Sequence, residues 1–342
     1  MQTLIESPTL PPLGGLRALV AGVEALTAAR RDGVLCVVVD TSGSSYRKPG
    51  ALVLLDAAGV RVGALSGGCL EADLEARARD VLANGTAQSV RFDTSGDEDR
   101  VFGSGTGCGG SIEVLLLPLP ASVAPLRRAL RAADALDVEL VLDLVGSGDR
   151  LGSGEARAGD ECHRFDERGA PVDDDAFAAD RHVRIAPAPR VLLLGAGPET
   201  RPLLVLTRLL GWRVELAEHR ERWLRFAADS GVDAEYRDGP DGLAAVLAAT
   251  RFDAALVMNH NLDLDARGLR ALAATAIPYV GLLGPAARRD ELLAEIGAAR
   301  DALLPRLHAP VGLRLGGEGA EAIALAIVAE LQQEFARAAR AA

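Results

Sequence analysis

The chain has 342 residues, of which 49% are hydrophobic and 25% are charged, a balance that excludes an intrinsically disordered protein. Its length predicts two domains rather than one. The 37 basic and 48 acidic side chains leave a formal net charge of −11, which disfavours non-specific binding to nucleic acids and to anionic membranes.

The first residues, 1–15, contain an acidic residue and prolines where a secretory signal needs basic and apolar regions. No stretch is apolar for the roughly 18 residues that a membrane-spanning helix needs. We therefore expect a soluble, cytoplasmic protein that binds neither membranes nor nucleic acids. The four cysteines are too scattered for a disulfide framework, so each is considered as a single thiol; they are Cys36, Cys69, Cys108 and Cys162.

Predicted helices and strands are mixed in the first half of the chain, which we interpret as a mixed α/β domain over residues 1–186. Hydrophobic periodicity predicts, in chain order, a helix over 16–31, a strand over 34–40, a hairpin from 51–56 and 61–66, a helix from near Cys69 to Gly85, a strand over 111–119, a helix over 122–135 and a strand over 137–145. The polar segment that follows, up to about residue 180, is typical of hairpins or loops.

From Arg190 onwards, short apolar strands alternate regularly with helices. Such alternation predicts a doubly wound parallel sheet covered by helices on both faces, which is a Rossmann-like fold. We assign this second α/β domain to residues 187–342 and expect it to end in one long amphipathic helix that starts near Glu318.

The first polar loop, TSGSSYRKPG at 41–50, follows a predicted buried strand and contains Arg47 and Lys48. Lys48 is the only lysine of the chain, so the cationic side chains are almost all guanidinium groups, which recognise phosphate through paired donors. On residue types alone, the loop is equally typical of a phosphate site and of a solvated turn.

Cys69 is the leading candidate for a functional thiol. It lies in SGGCLE at 66–71, where Gly67 and Gly68 have no side chains that would keep a ligand from the sulfur. A helix is predicted to begin there, and its free N–H groups favour a thiolate, whereas the acidic residues of the first turns oppose one. The sequence leaves open whether the pKa of Cys69 is raised or lowered.

A second cysteine, Cys108, lies in the glycine-rich segment FGSGTGCGGS at 102–111, between Gly107 and Gly109. Consecutive backbone N–H groups in such a segment can form a nest for an anion, but glycine runs are also ordinary turns. By contrast, Cys36 lies within an apolar strand, and we expect it to pack in the core.

The second domain begins with VLLLGAGPET, in which Gly195 and Gly197 stand between a strand and a helix. A dinucleotide fold needs a tight turn there so that its backbone can approach a pyrophosphate. Glu218 follows Gly197 by 21 residues and is positioned to accept a hydrogen bond from a ribose hydroxyl, although Thr200 replaces the third glycine. Two interpretations remain open: a site for NAD(P) or another nucleotide, and a scaffold kept for dimerisation or docking.

His260 lies in MNHNLDLD at 258–265, directly after a strand of the predicted parallel sheet. The carboxyl ends of such strands form the edge where these folds bind ligands, so His260 can orient a ligand or transfer a proton. It can equally belong to the start of the next helix, for which Asp263 is the expected cap. Arg288 and Arg289 follow another strand and are expected near the same rim.

Taken together, these segments resemble the XdhC/CoxI family, the accessory proteins of xanthine dehydrogenase and related molybdenum hydroxylases. The resemblance covers most of the chain and is carried by eight segments in the family's order: TSGSSYRKPGA (41–51), SGGCLE (66–71), GCGG (107–110), GAGPE (195–199), GWRVELAEHR (211–220), MNHNLDLD (258–265), YVGLLGP (279–285) and RLHAPVGL (306–313).

The resemblance implies a dimeric maturation factor without turnover of its own. Such a protein binds molybdenum cofactor, protects it while a cysteine desulfurase partner supplies the terminal sulfido ligand, and delivers it to an apo molybdenum hydroxylase. In the family, the SGGC cysteine is associated with cofactor binding. The resemblance carries this role over onto Cys69 and implies that Cys69 contacts the metal. Tyr46, where many members have proline, is a pattern of the CoxI-like branch, so the client need not be xanthine dehydrogenase.

On this interpretation Ser66, Gly67, Gly68 and Cys69 contact the cofactor, and Arg47 with the segment around Gly107, Cys108 and Gly109 faces its phosphate or pterin. The Rossmann site of Gly195, Gly197, Glu218 and His260 holds a nucleotide or part of the cofactor.

Two functions of other classes compete with this interpretation. The first is an NAD(P)-dependent oxidoreductase that uses His260 as acid or base. The second is a docking protein that binds the desulfurase and the client without a ligand of its own.

Overall fold

The computed structural model describes residues 13–45, 47–58, 61–66, 70–93, 110–121, 124–173, 178–228, 230–238 and 242–341. The chain divides into two units, of which the first is Gly15–Ala188 and the second is Pro189–Ala342 together with the described residues before Gly15. The glycine-rich segment up to Gly109 and the tripeptide 67–69 lie outside the described residues.

An antiparallel sheet with the strand order β3-β2-β1-β5-β4 is the centre of the first unit in its described part. Its elements are α1 (Gly15–Ala28), β1 (Gly33–Gly43), β2 (Leu52–Asp56), β3 (Arg61–Val62), α2 (Glu71–Asn84), β4 (Gln88–Asp93), β5 (Gly110–Leu119) and α3 (Pro125–Leu136). A second sheet, ordered β8-β7-β6-β9, consists of β6 (Leu140–Leu144), β7 (Gly154–Ala158), β8 (Glu161–Phe165) and β9 (Arg181–Ile185).

Strand β1 is buried on both faces, because alternate side chains enter different hydrophobic clusters. Leu35 and Val37 pack with α1, α3 and the second sheet, whereas Cys36 and Val38 pack against α2. The predicted core position of Cys36 is therefore confirmed, and its side chain has no exposed surface. Continuous burial, rather than alternation, explains why this strand is an uninterrupted apolar run in the sequence.

The second unit contains a parallel sheet with the order β12-β11-β10-β13-β14-β15 among the described residues. Its strands are β10 (Arg190–Leu194), β11 (Arg213–Ala217), β12 (Ala234–Tyr236), β13 (Ala254–Val257), β14 (Val280–Leu282) and β15 (Leu307–His308). Its helices are α4 (Thr200–Leu210), α5 (Glu221–Ala228), α6 (Leu243–Ala249), α7 (Leu262–Ala273), α8 (Ala286–Ile296), α9 (Arg300–Leu303) and α10 (Ala320–Ala341). Separate hydrophobic clusters cover its two faces.

This arrangement confirms the predicted mixed α/β fold and its Rossmann-like parallel sheet. The strand order runs outward in opposite directions from β10 and β13, so a crevice is expected between these two strands at their carboxyl ends. Within the described ranges, no helix is both long and apolar enough to cross a lipid bilayer.

Arg127 of α3 is a buried cation that joins three elements of the first unit. Its Nη1 donates to the Thr27 hydroxyl at 2.8 Å, and its Nη2 donates to the carbonyls of Arg31 at 2.8 Å and Leu119 at 2.7 Å. These acceptors lie in α1, just after α1 and at the end of β5, so the guanidinium satisfies oxygens that have little access to water.

We expect Arg127→Met to lower the free energy of unfolding by about 2–4 kcal/mol, because it leaves several buried acceptors without donors. Urea denaturation followed by circular dichroism measures the change. Arg128→Met, on the exposed side of the same helix, is the matched control and should change stability by less than about 0.5 kcal/mol. Equal losses in both variants would contradict this role of Arg127.

Candidate functional site

Two of the motif segments of the first unit lie at one end of its larger sheet. Gly43 at the end of β1 pairs with Gly110 at the start of β5, and Ser42 pairs with Ser111 so that their hydroxyl oxygens are 2.8 Å apart. Asp93, the last residue of β4, also pairs with Ser111. The loop after β1 and the glycine-rich segment therefore meet the sheet at the same edge.

Gly110 is required at this edge because two backbones approach each other closely. A Cβ atom on Gly110 would lie 2.3 Å from the carbonyl oxygen of Ser42 and 2.8 Å from that of Ser44. Any larger residue at position 110 would clash with the backbone of the loop after β1.

Arg47 connects the loop after β1 with the segment that leads to SGGC. Its Nε donates to the carbonyl of Ala64 at 2.9 Å, and Ala64 is two residues before Ser66. Arg47 is exposed, so its guanidinium lies at the surface of the protein. The structure thus brings two of the predicted site residues, Arg47 and Ser66, to neighbouring positions.

Ser66 and Glu71 bind to each other at the two ends of the SGGCLE segment. The carboxylate of Glu71 accepts hydrogen bonds from the backbone N–H groups of Leu65 at 3.2 Å and Ser66 at 2.9 Å, and from the Ser66 hydroxyl. The Ser66 hydroxyl oxygen in turn accepts from the N–H of Leu70 at 3.1 Å. This reciprocal pair resembles a capping box and fixes the chain on both sides of residues 67–69.

Glu71 is only 5% exposed and is ionised. Burial alone would raise its pKa, but the hydrogen bonds from Ser66 and Leu65 outweigh burial and leave the pKa below its ordinary value. The negative charge of Glu71 is thus directed toward the backbone of its own loop. The sequence grouped Glu71 with the other acids of the first helical turns, and only the structure distinguishes it from them.

Six of the predicted site residues lie outside the described residues: Gly67, Gly68, Cys69, Gly107, Cys108 and Gly109. Their roles stay predictions. The two cysteines within the described residues ionise poorly. Burial raises the pKa of Cys36 to about 12. Burial, followed by the nearby charge of Glu155, raises the pKa of Cys162.

In the second unit, the turn after β10 differs from a pyrophosphate-binding turn in the use of its N–H groups. The N–H of Ala196 donates to the Glu218 carboxylate at 2.9 Å, and the N–H of Gly197 donates to the Thr200 hydroxyl at 2.9 Å. Residue 198 is proline and has no N–H. Two of the N–H groups that could meet a dinucleotide phosphate are therefore bound within the protein.

Glu218 is fully buried and braces this turn together with Arg220. It accepts from the Arg220 Nε at 2.9 Å and Nη2 at 2.6 Å, while the same Nη2 donates to the Ala196 carbonyl at 3.0 Å. Burial raises the pKa of Glu218, but the hydrogen bonds of Arg220 outweigh it and leave the pKa lowered. The carboxylate that was expected to meet a ribose hydroxyl is occupied by donors of the chain itself, which disfavours the oxidoreductase interpretation.

Both glycines of the turn lie close to the loop after β13, and Gly195 is required there because its near neighbour is backbone. A Cβ on Gly195 would lie 2.5 Å from the Cα of Asn259, and one on Gly197 would lie 2.6 Å from the His260 Nε2. The turn and the 258–261 loop therefore pack directly against each other. The structure brings Gly195, Gly197 and His260 together by packing within the protein, and their role in binding a ligand stays a prediction.

His260 belongs to a group of four charged side chains at this edge. Its Nε2 is 2.9 Å from Oε1 of Glu199, and Asp265 binds Nη2 of Arg288 at 2.7 Å. Asp265 also accepts from the backbone N–H and the side-chain amide of Asn259, both at 3.0 Å. Sequence reasoning missed Glu199 and Asp265, although both lie within the motifs GAGPE and MNHNLDLD. The prediction of Asp263 as a cap was wrong, since Asn261 accepts from the N–H of Leu264.

We expect Glu71→Gln to lower the free energy of unfolding by about 1–3 kcal/mol at neutral pH, because it removes charge-assisted hydrogen bonds to a nearly buried carboxylate. The pKa of Glu71 is lowered on folding, so its contribution is present above the unfolded pKa and is lost as the pH falls through the folded one. Denaturation at several pH values measures the difference.

The matched control is Asp73→Asn, which removes the exposed ion pair with Arg77 from the same helix. It should change stability by less than about 0.5 kcal/mol. A Glu71→Gln variant that keeps the wild-type stability at neutral pH would refute the assignment.

Comparison with known proteins agrees with the fold and with the motifs. A model of the XdhC Rossmann domain matches residues 191–331, and a model of the XdhC and CoxI family matches residues 26–93. The chain is 29% identical over 337 residues to a probable xanthine dehydrogenase subunit of Bacillus subtilis (strain 168), covering 93% of this chain and 97% of that protein. It is also 29% identical over 150 residues to the uncharacterized protein YqeB of Escherichia coli (strain K12), covering 42% of this chain and 27% of that protein.

A crystal structure of a protein from Bacillus halodurans, described as a xanthine dehydrogenase, has the same architecture. The TM-score is 0.73 at 30% sequence identity, and the match covers 92% of this chain and 94% of the other. The agreement of sequence motifs, domain models and fold over nearly the whole length shows that the chain belongs to the XdhC and CoxI family.

Proposed function

We propose that the protein is an accessory factor that binds molybdenum cofactor, holds it while it is sulfurated, and inserts it into a xanthine dehydrogenase-like molybdenum hydroxylase. Family membership and relatives named for xanthine dehydrogenase support the class of client. The structural observation that carries the proposal is the gathering of motif segments in the first unit, where Arg47 contacts the segment that leads to Ser66.

The chemistry of the cargo matches the residue types of these segments. Molybdopterin carries a phosphate and a metal bound by a dithiolene, so a binding site has to supply cations for the phosphate and a soft donor near the metal. Arg47 and the N–H groups of the glycine-rich segment serve the phosphate or pterin, and Cys69 serves the metal. Local donors are essential because the net charge of −11 repels an anionic ligand.

The Ser66–Glu71 pair supports this role by fixing the chain on both sides of Cys69. An acidic residue close to a metal thiolate and a phosphate would repel both. Because the Glu71 carboxylate accepts from Leu65, Ser66 and the Ser66 hydroxyl, its charge is balanced by its own loop. The pair therefore fixes the residues that flank the cysteine segment at a low electrostatic cost to an anionic ligand.

The partners follow from the same proposal. A cysteine desulfurase supplies the sulfur, an apo molybdenum hydroxylase receives the cofactor, and the factor acts as a homodimer without turnover of its own. Delivery to the hydroxylase requires the cofactor to be released again, so the metal contact has to be reversible.

The wild-type protein should co-purify with molybdenum and pterin from a molybdenum-replete host under anaerobic conditions. We expect Cys69→Ala to lower this content at least about tenfold. A metal–thiolate contact contributes at least the ~1.4 kcal/mol that a tenfold loss represents. Metal analysis and pterin fluorescence after oxidation measure the content. Cys162→Ala is the matched control, because it removes an exposed thiol whose pKa is raised. Equal pterin content in the two variants would exclude Cys69 as the metal contact.

A second measurement separates cofactor binding from docking alone. Protein purified from a molybdenum-free host should fail to activate the apo-hydroxylase, whereas cofactor-loaded protein should restore its activity. Activation that is independent of cofactor loading would favour a docking function instead.

A further inference from the structure

We propose that the crevice at the carboxyl ends of β10, β13 and β14 binds an organic phosphate monoester, with His260 and Arg288 as the groups that hold its phosphate. This inference concerns the second unit and uses none of the residues proposed to hold the cofactor in the first.

The crevice is a cavity of about 360 Å³ in the second unit, at the position where the strand order reverses. Its charged walls are Glu199, His260 and Arg288, and its apolar walls are Leu283, Pro285 and Ile323. The volume lies within the range of small-molecule sites, about 300–1,000 Å³, which is enough for one ring system with a phosphate.

The charges of the crevice are layered, with the acids behind the cations. The side chains of Glu199 and Asp265 are 4% and 1% exposed, whereas those of their partners His260 and Arg288 are 49% and 22% exposed. A ligand that enters from solvent therefore meets the cationic ends of two ion pairs first. An anion gains from both cations, while a cation would have to displace them to reach the buried carboxylates.

The surroundings of His260 favour its charged form. The hydrogen bond to Glu199 raises its pKa most strongly, burial opposes this, the charges of Glu199 and Asp265 raise it further, and Arg288 lowers it. Arg288 thus acts on the imidazole electrostatically, as expected for two cations that face one cavity. A bound phosphate dianion would offset the repulsion between them and raise the pKa of His260 again.

The backbone is constrained where it presents these cations. His260 has a φ of +56°, a left-handed conformation that is unfavourable for residues other than glycine. Gly284 has a φ of +134°, and a Cβ there would lie 2.7 Å from the Cδ of Arg288. Such conformations are retained at sites where a side chain has to be held in one direction.

In this proposal, the phosphate binds on the side of the crevice opposite the glycine turn. At the turn, the N–H groups of Ala196 and Gly197 are bound by Glu218 and Thr200, so these two phosphate donors are already occupied. Side-chain donors in the loop after β13 and in the first turn of α8 take their place. The apolar walls favour an ester with a flat organic group over inorganic phosphate alone.

The test follows the imidazole of His260 by NMR in the full-length protein with labelled histidine, using His260→Gln to assign its signal. Guanosine 5′-monophosphate (GMP), inorganic phosphate and guanosine are the probes. We expect GMP to raise the pKa of His260 by about 0.5–1 unit, inorganic phosphate to raise it less, and guanosine to leave it unchanged. No change with either phosphate, or an equal change with guanosine, would overturn the proposal.

Calorimetry gives the matching affinity. Binding requires the imidazolium, so it is present below the raised pKa of His260 and is lost as the pH rises through it. We expect GMP affinity to be about tenfold higher at pH 6 than at pH 8.5, and His260→Gln to abolish this dependence and to weaken binding at pH 6 about tenfold. His260→Gln with wild-type affinity and pH profile would refute the assignment.

His182→Gln is the matched control, because it removes another histidine–carboxylate pair, with Asp143 at 2.6 Å in the first unit, and should bind GMP as the wild type does. Arg288→Lys keeps a cation beside Asp265 and should reduce GMP affinity severalfold without unfolding the protein. Cys69→Ala should leave the GMP response unchanged, so failure of the cofactor proposal and failure of this one give different results.

Discussion

Buried carboxylates that accept hydrogen bonds from the backbone of nearby loops are the interaction on which the candidate sites of both units depend. Glu71 binds the backbone of Leu65 and Ser66, and Glu218 binds that of Ala196. Asp265 binds that of Asn259. Burying a neutral polar group without such donors costs on the order of 2–7 kcal/mol, and burying an ionised carboxylate costs more. With the donors in place, each acid fixes a loop in one conformation, and a neutral replacement would release that loop.

The same carboxylates decide which ligand chemistry each loop can offer. In the Rossmann turn, Glu218 and Thr200 consume the N–H groups that dinucleotide folds present to pyrophosphate. Across the crevice, Glu199 and Asp265 lie behind His260 and Arg288 and leave the cations nearer to solvent. An acidic protein thereby presents cations to solvent at the crevice, because Glu199 and Asp265 are buried behind them.

Much of the fold could be predicted, because hydrophobic periodicity records burial. The run 34–40 is apolar since β1 is covered on both faces, and the alternation after Arg190 became a parallel sheet. The short strands β7 and β8 lie in a segment for which the sequence predicted hairpins or loops without choosing between them. Small residues such as Gly154 and Ala158 line the buried side of β7 and carry little hydrophobic signal. The site was predicted less completely: the motifs pointed to Ser66, Arg47 and His260, but not to Glu199 or Asp265.

By itself, the sequence determined the mixed α/β class, the succession of elements and the motifs of the XdhC and CoxI family, since these depend on local periodicity and on residue order. Only the tertiary structure decided which acid serves which loop. The sequence does not distinguish the acidic residues Glu71, Asp73 and Glu75 of one helix. In the structure, only Glu71 is buried among these three. Glu218 follows the glycine turn at the distance expected of a ribose-binding acid, but it accepts hydrogen bonds from Ala196 and Arg220 instead. Hydrogen-bond partners between distant segments are set by how strands and loops pack in space, and sequence spacing does not record that packing.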